Sequence, residues 1–287
     1  MKKEINEIIE REFENLLLLI ENDFINNYKR KKETNFLVSE LDDMMTAHLV
    51  FVSSFESKSG NSFQKIAREI AKLRYHPQNV PQIINPNNIR HDFIEDENKE
   101  QFLVTNVNID KDELKGKISE FMASKTSNGR GRERKECSLD QDSIKDLLYL
   151  SERYKDKETH CKPVDLAFYD ENQFLNIMEI KAGGDLDSSN APANAEKLLR
   201  IYVGANNLNT KTYFATLYNK NGDKNNWSGI MKKYLKYPDM FLIGENFWNK
   251  ILPSGVDYTL FKKIYRESIE GIKLNDRLNL MIKKAVC

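Results

Sequence analysis

Cysteine is scarce: Cys137, Cys161 and Cys287 are the only three in a chain of 287 residues. None stands in C-x-x-C spacing, and an odd number closes no disulfide framework. The sequence therefore predicts a protein of a reducing, cytoplasmic environment. Histidine is as sparse. His48, His76, His91 and His160 are scattered, with no H-E-x-x-H and no Cys/His cluster, which argues against a zinc site. Long apolar runs are missing too. The longest early one, residues 16–20, falls far short of the roughly 18 residues a spanning helix needs. The opening Met1-Lys2-Lys3 runs straight into Glu4, Glu7 and Glu10, so no secretory leader is expected. Net charge is absent: Lys plus Arg and Asp plus Glu both number 44. A nucleic-acid partner gains nothing from overall charge, and any basic surface must be local.

What is present is helical periodicity first and strand alternation later. Apolar residues recur at three- and four-residue spacing over 3–29, predicting a long amphipathic helix. Further helices are expected at 38–54 and 63–74, with a break at Ser59-Gly60-Asn61-Ser62. Residues 76–98, rich in Pro and Asn, read as loop. A strand over 101–109 and helices over 113–123 and 142–154 follow, with a polar, basic loop at 124–135 between the helices. Then come strands at 164–169 and 174–181 around a turn at 170–173, a loop at 183–192 and a helix at 194–203. A strand at 211–218, a helix at 226–237, a strand at 240–243 and a helical tail at 260–284 complete the chain. At about 150 residues per domain, the expected organisation is one α/β domain over 1–287. Its part at 1–75 is mainly helical, and its catalytic core spans 160–245.

The hairpin carries the chemistry. Alternation puts Asp165, Ala167 and Tyr169 on one face of the first strand, and Ile177, Glu179 and Lys181 on one face of the second. Both strands are otherwise apolar, and burying charge there is costly unless the charges pair or bind a metal. Asp165 opens its strand while Glu179 and Lys181 close theirs, so an antiparallel hairpin brings all three to one rim. Two carboxylates can hold a hard divalent cation through oxygen. A lysine beside them can orient water or neutralise phosphate charge. The backbone carbonyl of Ile180 is placed to add a further ligand.

Pro163-Val164-Asp165, the spacer 166–178 and Glu179-Ile180-Lys181 resemble the PD-(D/E)XK nuclease signature. With the following Ala182-Gly183-Gly184-Asp185 and the helix beyond, the chain is similar to type II restriction endonucleases of that superfamily, in particular the TdeIII/MjaII-like group. The resemblance implies a restriction-endonuclease-like α/β core, αβββαβ with a mixed central sheet flanked by helices, elaborated by a helical N-terminal part. It implies magnesium held by Asp165 and Glu179, and Lys181 as the catalytic lysine. It also implies double-stranded DNA as substrate, a short palindromic, GGNCC-like site, and a homodimer to match that symmetry. Two alternatives stay open: another PD-(D/E)XK nuclease acting in repair or on junctions, and a catalytically silent DNA-binding relative.

Secondary candidates surround this set. Glu56, ahead of Ser57-Lys58-Ser59-Gly60, is a candidate further metal ligand, set against an ordinary solvated acid near a helix start. Lys125, Arg130, Arg132, Arg134 and Lys135 form a basic stretch with Gly129 and Gly131, and arginine suits bidentate contact to guanine or phosphate. Lys197, on the helix after the catalytic strand, is a candidate for contact with the DNA backbone. Asp185 and Asp187 read as turn and cap residues.

Overall fold

The computed structural model describes residues 1–95, 100–126, 137–184 and 186–286. The chain divides into two compact units, Met1–Ile70 with Pro253–Cys287, and Ala71–Leu252. The division adds one thing to the expected helical part at 1–75: the C-terminal tail belongs with the N-terminal helices.

The first unit opens with α1 (Lys2–Thr34), whose buried stripe runs through Ile5, Ile9, Phe13, Leu16, Ile20 and Phe24 at helical spacing. A short α2 (Phe36–Ser39) is started by Asn35, whose side chain accepts the N–H of Leu37. Next comes α3 (Asp43–Tyr75), continuous through the expected break at residues 59–62. A glycine inside a helix costs about 1 kcal/mol, and a Cβ at Gly60 would meet only open space. The buried Val50, Ser54, Ser62, Ile66 and Ile70 form one face across it, and that shared burial outweighs the local break signal.

The last turn of α3 belongs to the second unit, whose first strand, β1, is short (Ile83–Ile84). It lies parallel to β2 (Gln101–Val107). After α4 (Asp112–Lys125), a 3-10 stretch, Ser143–Leu148, leads into α5 (Tyr149–Arg153), in place of one regular helix over 142–154. Then β3 (Lys155–Val164) pairs antiparallel with β2 and completes a three-stranded sheet. The sequence reading missed most of β3. It is an edge strand with little buried surface, so its residues follow no apolar alternation, and an edge is where a sheet tolerates Pro163. Next come β4 (Leu166–Tyr169), β5 (Leu175–Lys181), α6 (Asn190–Ala205), β6 (Thr210–Thr216), β7 (Phe241–Ile243) and α7 (Glu245–Ile251). The second sheet has the order β4-β5-β6-β7, antiparallel in its first pair and parallel in the other two. The expected mixed central sheet is thus two mixed sheets.

The chain passes from one sheet to the other at Asp165. At that seam the fully buried Gln101 of β2 acts as a substitute peptide group. Its side-chain oxygen accepts the N–H of Ala167 at 2.9 Å, and its side-chain nitrogen donates to the carbonyls of Ala167 and Pro81, both at 2.7 Å.

Only a 3-10 turn, Ile230–Lys233, forms where a helix over 226–237 was expected. This segment delivers Trp227 into the core instead, against Phe214 and Phe241. Gly229 runs so close to the indole that a Cβ would fall 2.4 Å from it. The tail returns to the first unit as α8 (Tyr258–Gly271) and α9 (Leu274–Val286), interrupted by Lys273 in the left-handed region, φ 52°. One helix over 260–284 was expected. Tyr265 of α8 packs edge-on to Phe13, and Arg277 of α9 pairs with Glu14 and Glu21 of α1. Among the described residues no helix is long and apolar enough to cross a membrane.

Candidate active site

The site is built on the β4–β5 hairpin, in register from Leu166↔Met178 to Tyr169↔Leu175. Asp170 closes the turn. Its Oδ1 accepts the N–H groups of Asn172 and Phe174, both at 3.1 Å, and its Oδ2 accepts from Asn176 Nδ2 at 3.0 Å. Every residue of β5 up to Ile180 is buried. Glu179 is 5% exposed.

Asp165 is not part of a strand, as alternation had suggested; it occupies the bend between β3 and β4. The β4–β5 ladder ends at Leu166, and there the Asp165 side chain takes over. Its Oδ2 accepts the N–H of Ile180 at 2.8 Å. The N–H and C=O of one strand residue leave on the same side, so the Ile180 carbonyl faces this edge as well. Asp165, Ile180 and Glu179 therefore come together as the sequence predicts, though Asp165 arrives by a different route.

Each oxygen of Glu179 is taken by a different ammonium. Lys181 Nζ lies 2.7 Å from Oε1, and Lys197 Nζ lies 2.5 Å from Oε2 and 3.9 Å from Asp165 Oδ1. Lys197, foreseen only for contact with the DNA backbone, is thus part of the cluster. It comes from α6, which is preceded by Asp187: the Oδ1 of that residue accepts the N–H of Ser189 at 2.9 Å and of Asn190 at 2.7 Å. Asp187 thus shapes the turn into α6, whose N-cap is Ser189, and α6 begins earlier than the predicted 194 because Pro192 fits a first helical turn.

Electrostatics follow from the burial. Burial first, and the Glu179 charge second, push Asp165 up to about 6, against Lys197, the Ile180 N–H and Lys181. Burial works against the charge on Lys197, but Glu179 and Asp165 outweigh it and hold its affinity for the proton above the ordinary value. The loop after β5 is held close. Trp227 Nε1 donates to Gly183 O at 3.2 Å. Gly184 has φ +73°, and a Cβ there would lie 2.7 Å from Thr216 Cγ2.

Of the remaining candidates, Glu56 is exposed on α3 of the first unit. Lys125 ends α4, its ammonium 5.7 Å from the Phe121 ring centroid. Arg130, Arg132, Arg134, Lys135 and Asp185 lie outside the described residues. Among the described residues, no group of three or more His, Cys, Asp or Glu is placed to hold a metal ion. The oxygen donors here are two carboxylates and one backbone carbonyl. That set suits magnesium, which keeps several waters and takes one or two carboxylates along with substrate phosphates.

An Asp at the entry to such a hairpin, a buried Glu and a partly exposed Lys at the end of its second strand, followed by a covering helix and a parallel strand, have the layout of a PD-(D/E)XK nuclease. A family model described as HinfI, type II restriction endonuclease, matches residues 1–268, and the chain belongs to that family. It is thus a type II site-specific deoxyribonuclease, a hydrolase of DNA phosphodiester bonds. The class expected from the motif stands, and the group that matches is HinfI. No curated protein and no solved structure matches the chain.

Proposed function

We propose that Asp165, Glu179 and the Ile180 carbonyl hold Mg2+ in this endonuclease, and that Lys181 is its catalytic lysine. The observation that carries the reading is that one ammonium, that of Lys197, already contacts both carboxylates: the two acids share a single cation. When bound, magnesium supplies Lewis-acid stabilisation of phosphate charge and a more acidic water. Lys181, about a third exposed at its side chain, reaches from the buried Glu179 toward solvent. There it orients the attacking water and offsets charge on the scissile phosphate. Lys181→Ala should lower plasmid cleavage in magnesium by about a hundredfold or more, the scale of losing one positioned charge. Discrete fragments at an undiminished rate from Lys181→Ala would refute the assignment.

A palindromic duplex site calls for two copies of the one catalytic set this chain carries, hence a homodimer. We assign self-association to the outer face of α3. Met44, Met45, Leu49 and Val52, each about half exposed, recur there at helical spacing. Phe36 and Leu37 of α2, 77% and 67% exposed, are tied to the same corner by the bond from Thr46 Oγ1 to Val38 O. So many open apolar side chains in one place exceed scattered surface exposure. Met45→Glu with Leu49→Glu should convert a dimer to a monomer in light scattering and leave the fold intact by circular dichroism. An unchanged mass would place the interface elsewhere. The cysteines accord with a cytoplasmic setting, since Cys137 and Cys161 are free.

A further inference from the structure

Lys197 holds a position that the proposed metal also needs. Its ammonium lies 2.5 Å from Glu179 Oε2 and 3.9 Å from Asp165 Oδ1, between the two carboxylates assigned to the cation. A cavity of ≈ 10 Å³ is lined by Asp165, Glu179 and Lys197 together with Val164 and Ile201. That is room for about one water between these side chains as Lys197 now stands. Charges balance without a metal: two carboxylates face two ammonium groups, Lys181 and Lys197. A divalent cation would leave that neutral set with excess positive charge at close range, and Lys197 is the group able to leave. Its side chain is 37% exposed on a flexible stem, and it is anchored on α6, not on the catalytic strand.

We propose that Lys197 is a resident counter-ion that yields its place when the divalent cation binds, and that the released ammonium is then free to take a DNA phosphate. The inference rests on the reading that Asp165 and Glu179 hold the metal, and it adds a coupling. The lysine lowers metal affinity while DNA is absent. A phosphate that captures Lys197 removes the competitor and raises metal affinity, and by linkage the metal strengthens phosphate capture equally. Loading is thereby favoured on DNA over the free protein.

The test is calorimetric titration of the DNA-free, full-length protein with Ca2+, which needs no cleavage as a readout. Lys197→Met should bind Ca2+ at least about tenfold more tightly than the unmodified protein, a modest share of what one close like charge can cost. Lys197→Arg, which keeps the charge, should stay as weak as the unmodified protein. If Lys197→Met fails to fold, Lys197→Gln, which can still donate to Glu179, takes its place with the same expectation. Equal or weaker Ca2+ binding by the neutral variants overturns the proposal. Asp165→Asn separates the two readings. If it abolishes binding while Lys197→Met changes nothing, the metal site stands and the counter-ion role falls. If it leaves binding intact, or if no protein binds Ca2+, the metal site itself falls, and the counter-ion role with it.

Discussion

Asp165→Asn should abolish cleavage and, in metal-free buffer near neutral pH, yield a more stable protein. The loss of activity is expected to be about a thousandfold or more, because a metal-holding carboxylate is gone. The stability gain follows from the site's electrostatics. The Asp165 carboxyl titrates at about 6 in the fold against an ordinary value of 3.8, through burial first and Glu179 second. The ionised form is thus the one the fold disfavours. Below about pH 4 the group costs nothing; as pH rises through about 6 the metal-free protein loses stability, and above that the loss is complete. Asparagine removes this loss and can still accept the N–H of Ile180, which Asp165 Oδ2 takes at 2.8 Å. A gain of roughly 1–2 kcal/mol corresponds to a few degrees in Tm for a protein of this size. Calorimetric melts at pH 4.5 and pH 8, with and without Ca2+, read both halves of the expectation. The unmodified protein should gain from Ca2+, whereas the variant should start higher at pH 8 and gain nothing. A variant that melts below the unmodified protein at pH 8 without metal would show that Asp165 serves the fold and not the cation.

What was legible in the sequence was the part of the site that a hairpin alone determines. Glu179 and Lys181 lie where alternation along a buried strand puts them, and Asp170 closes the turn between the strands. Asp165 was placed beside them for an incomplete reason. It lies at a bend between two sheets, and β3, the strand that leads into that bend, is polar and peripheral, with no apolar period to reveal it. Lys197 was noticed as a basic residue near the catalytic strand, but its contact with Glu179 depends on how α6 lies against β5. The only local signal was a lysine flanking the helix face that buries Leu198 and Ile201. The helix breaks failed for a related reason. Gly60 and its serine and asparagine neighbours carry capping chemistry, yet α3 continues because its buried face continues. Conversely, residues 226–237 have helical periodicity, but burial of Trp227 against Phe214 and Phe241 directs that segment elsewhere. Local propensity yields to tertiary burial in both directions.

Gln101→Leu should destabilise the second unit by about 3–5 kcal/mol and cut DNA cleavage even under conditions where the variant is folded. The substitution nearly conserves volume, so packing alone predicts a small effect. The cost is polar. Gln101 is fully buried, and leucine would leave three backbone groups without the partner they now have: the N–H of Ala167 at 2.9 Å, its carbonyl at 2.7 Å, and the carbonyl of Pro81 at 2.7 Å. Each buried polar group so orphaned costs about 1–3 kcal/mol. The consequence for catalysis follows from where the seam lies. Ala167 is the second residue of β4, two past the Asp165 bend, so the Gln101 side chain fixes the point from which Asp165 reaches Ile180 and shares Lys197 with Glu179. Urea melts give the stability change, and plasmid digestion in magnesium well below the melting midpoint gives the activity of the folded fraction. A loss in stability with unchanged cleavage per folded molecule would make Gln101 a structural bridge alone. A loss in both would make it the residue that registers the two sheets so that one cation can meet both acids.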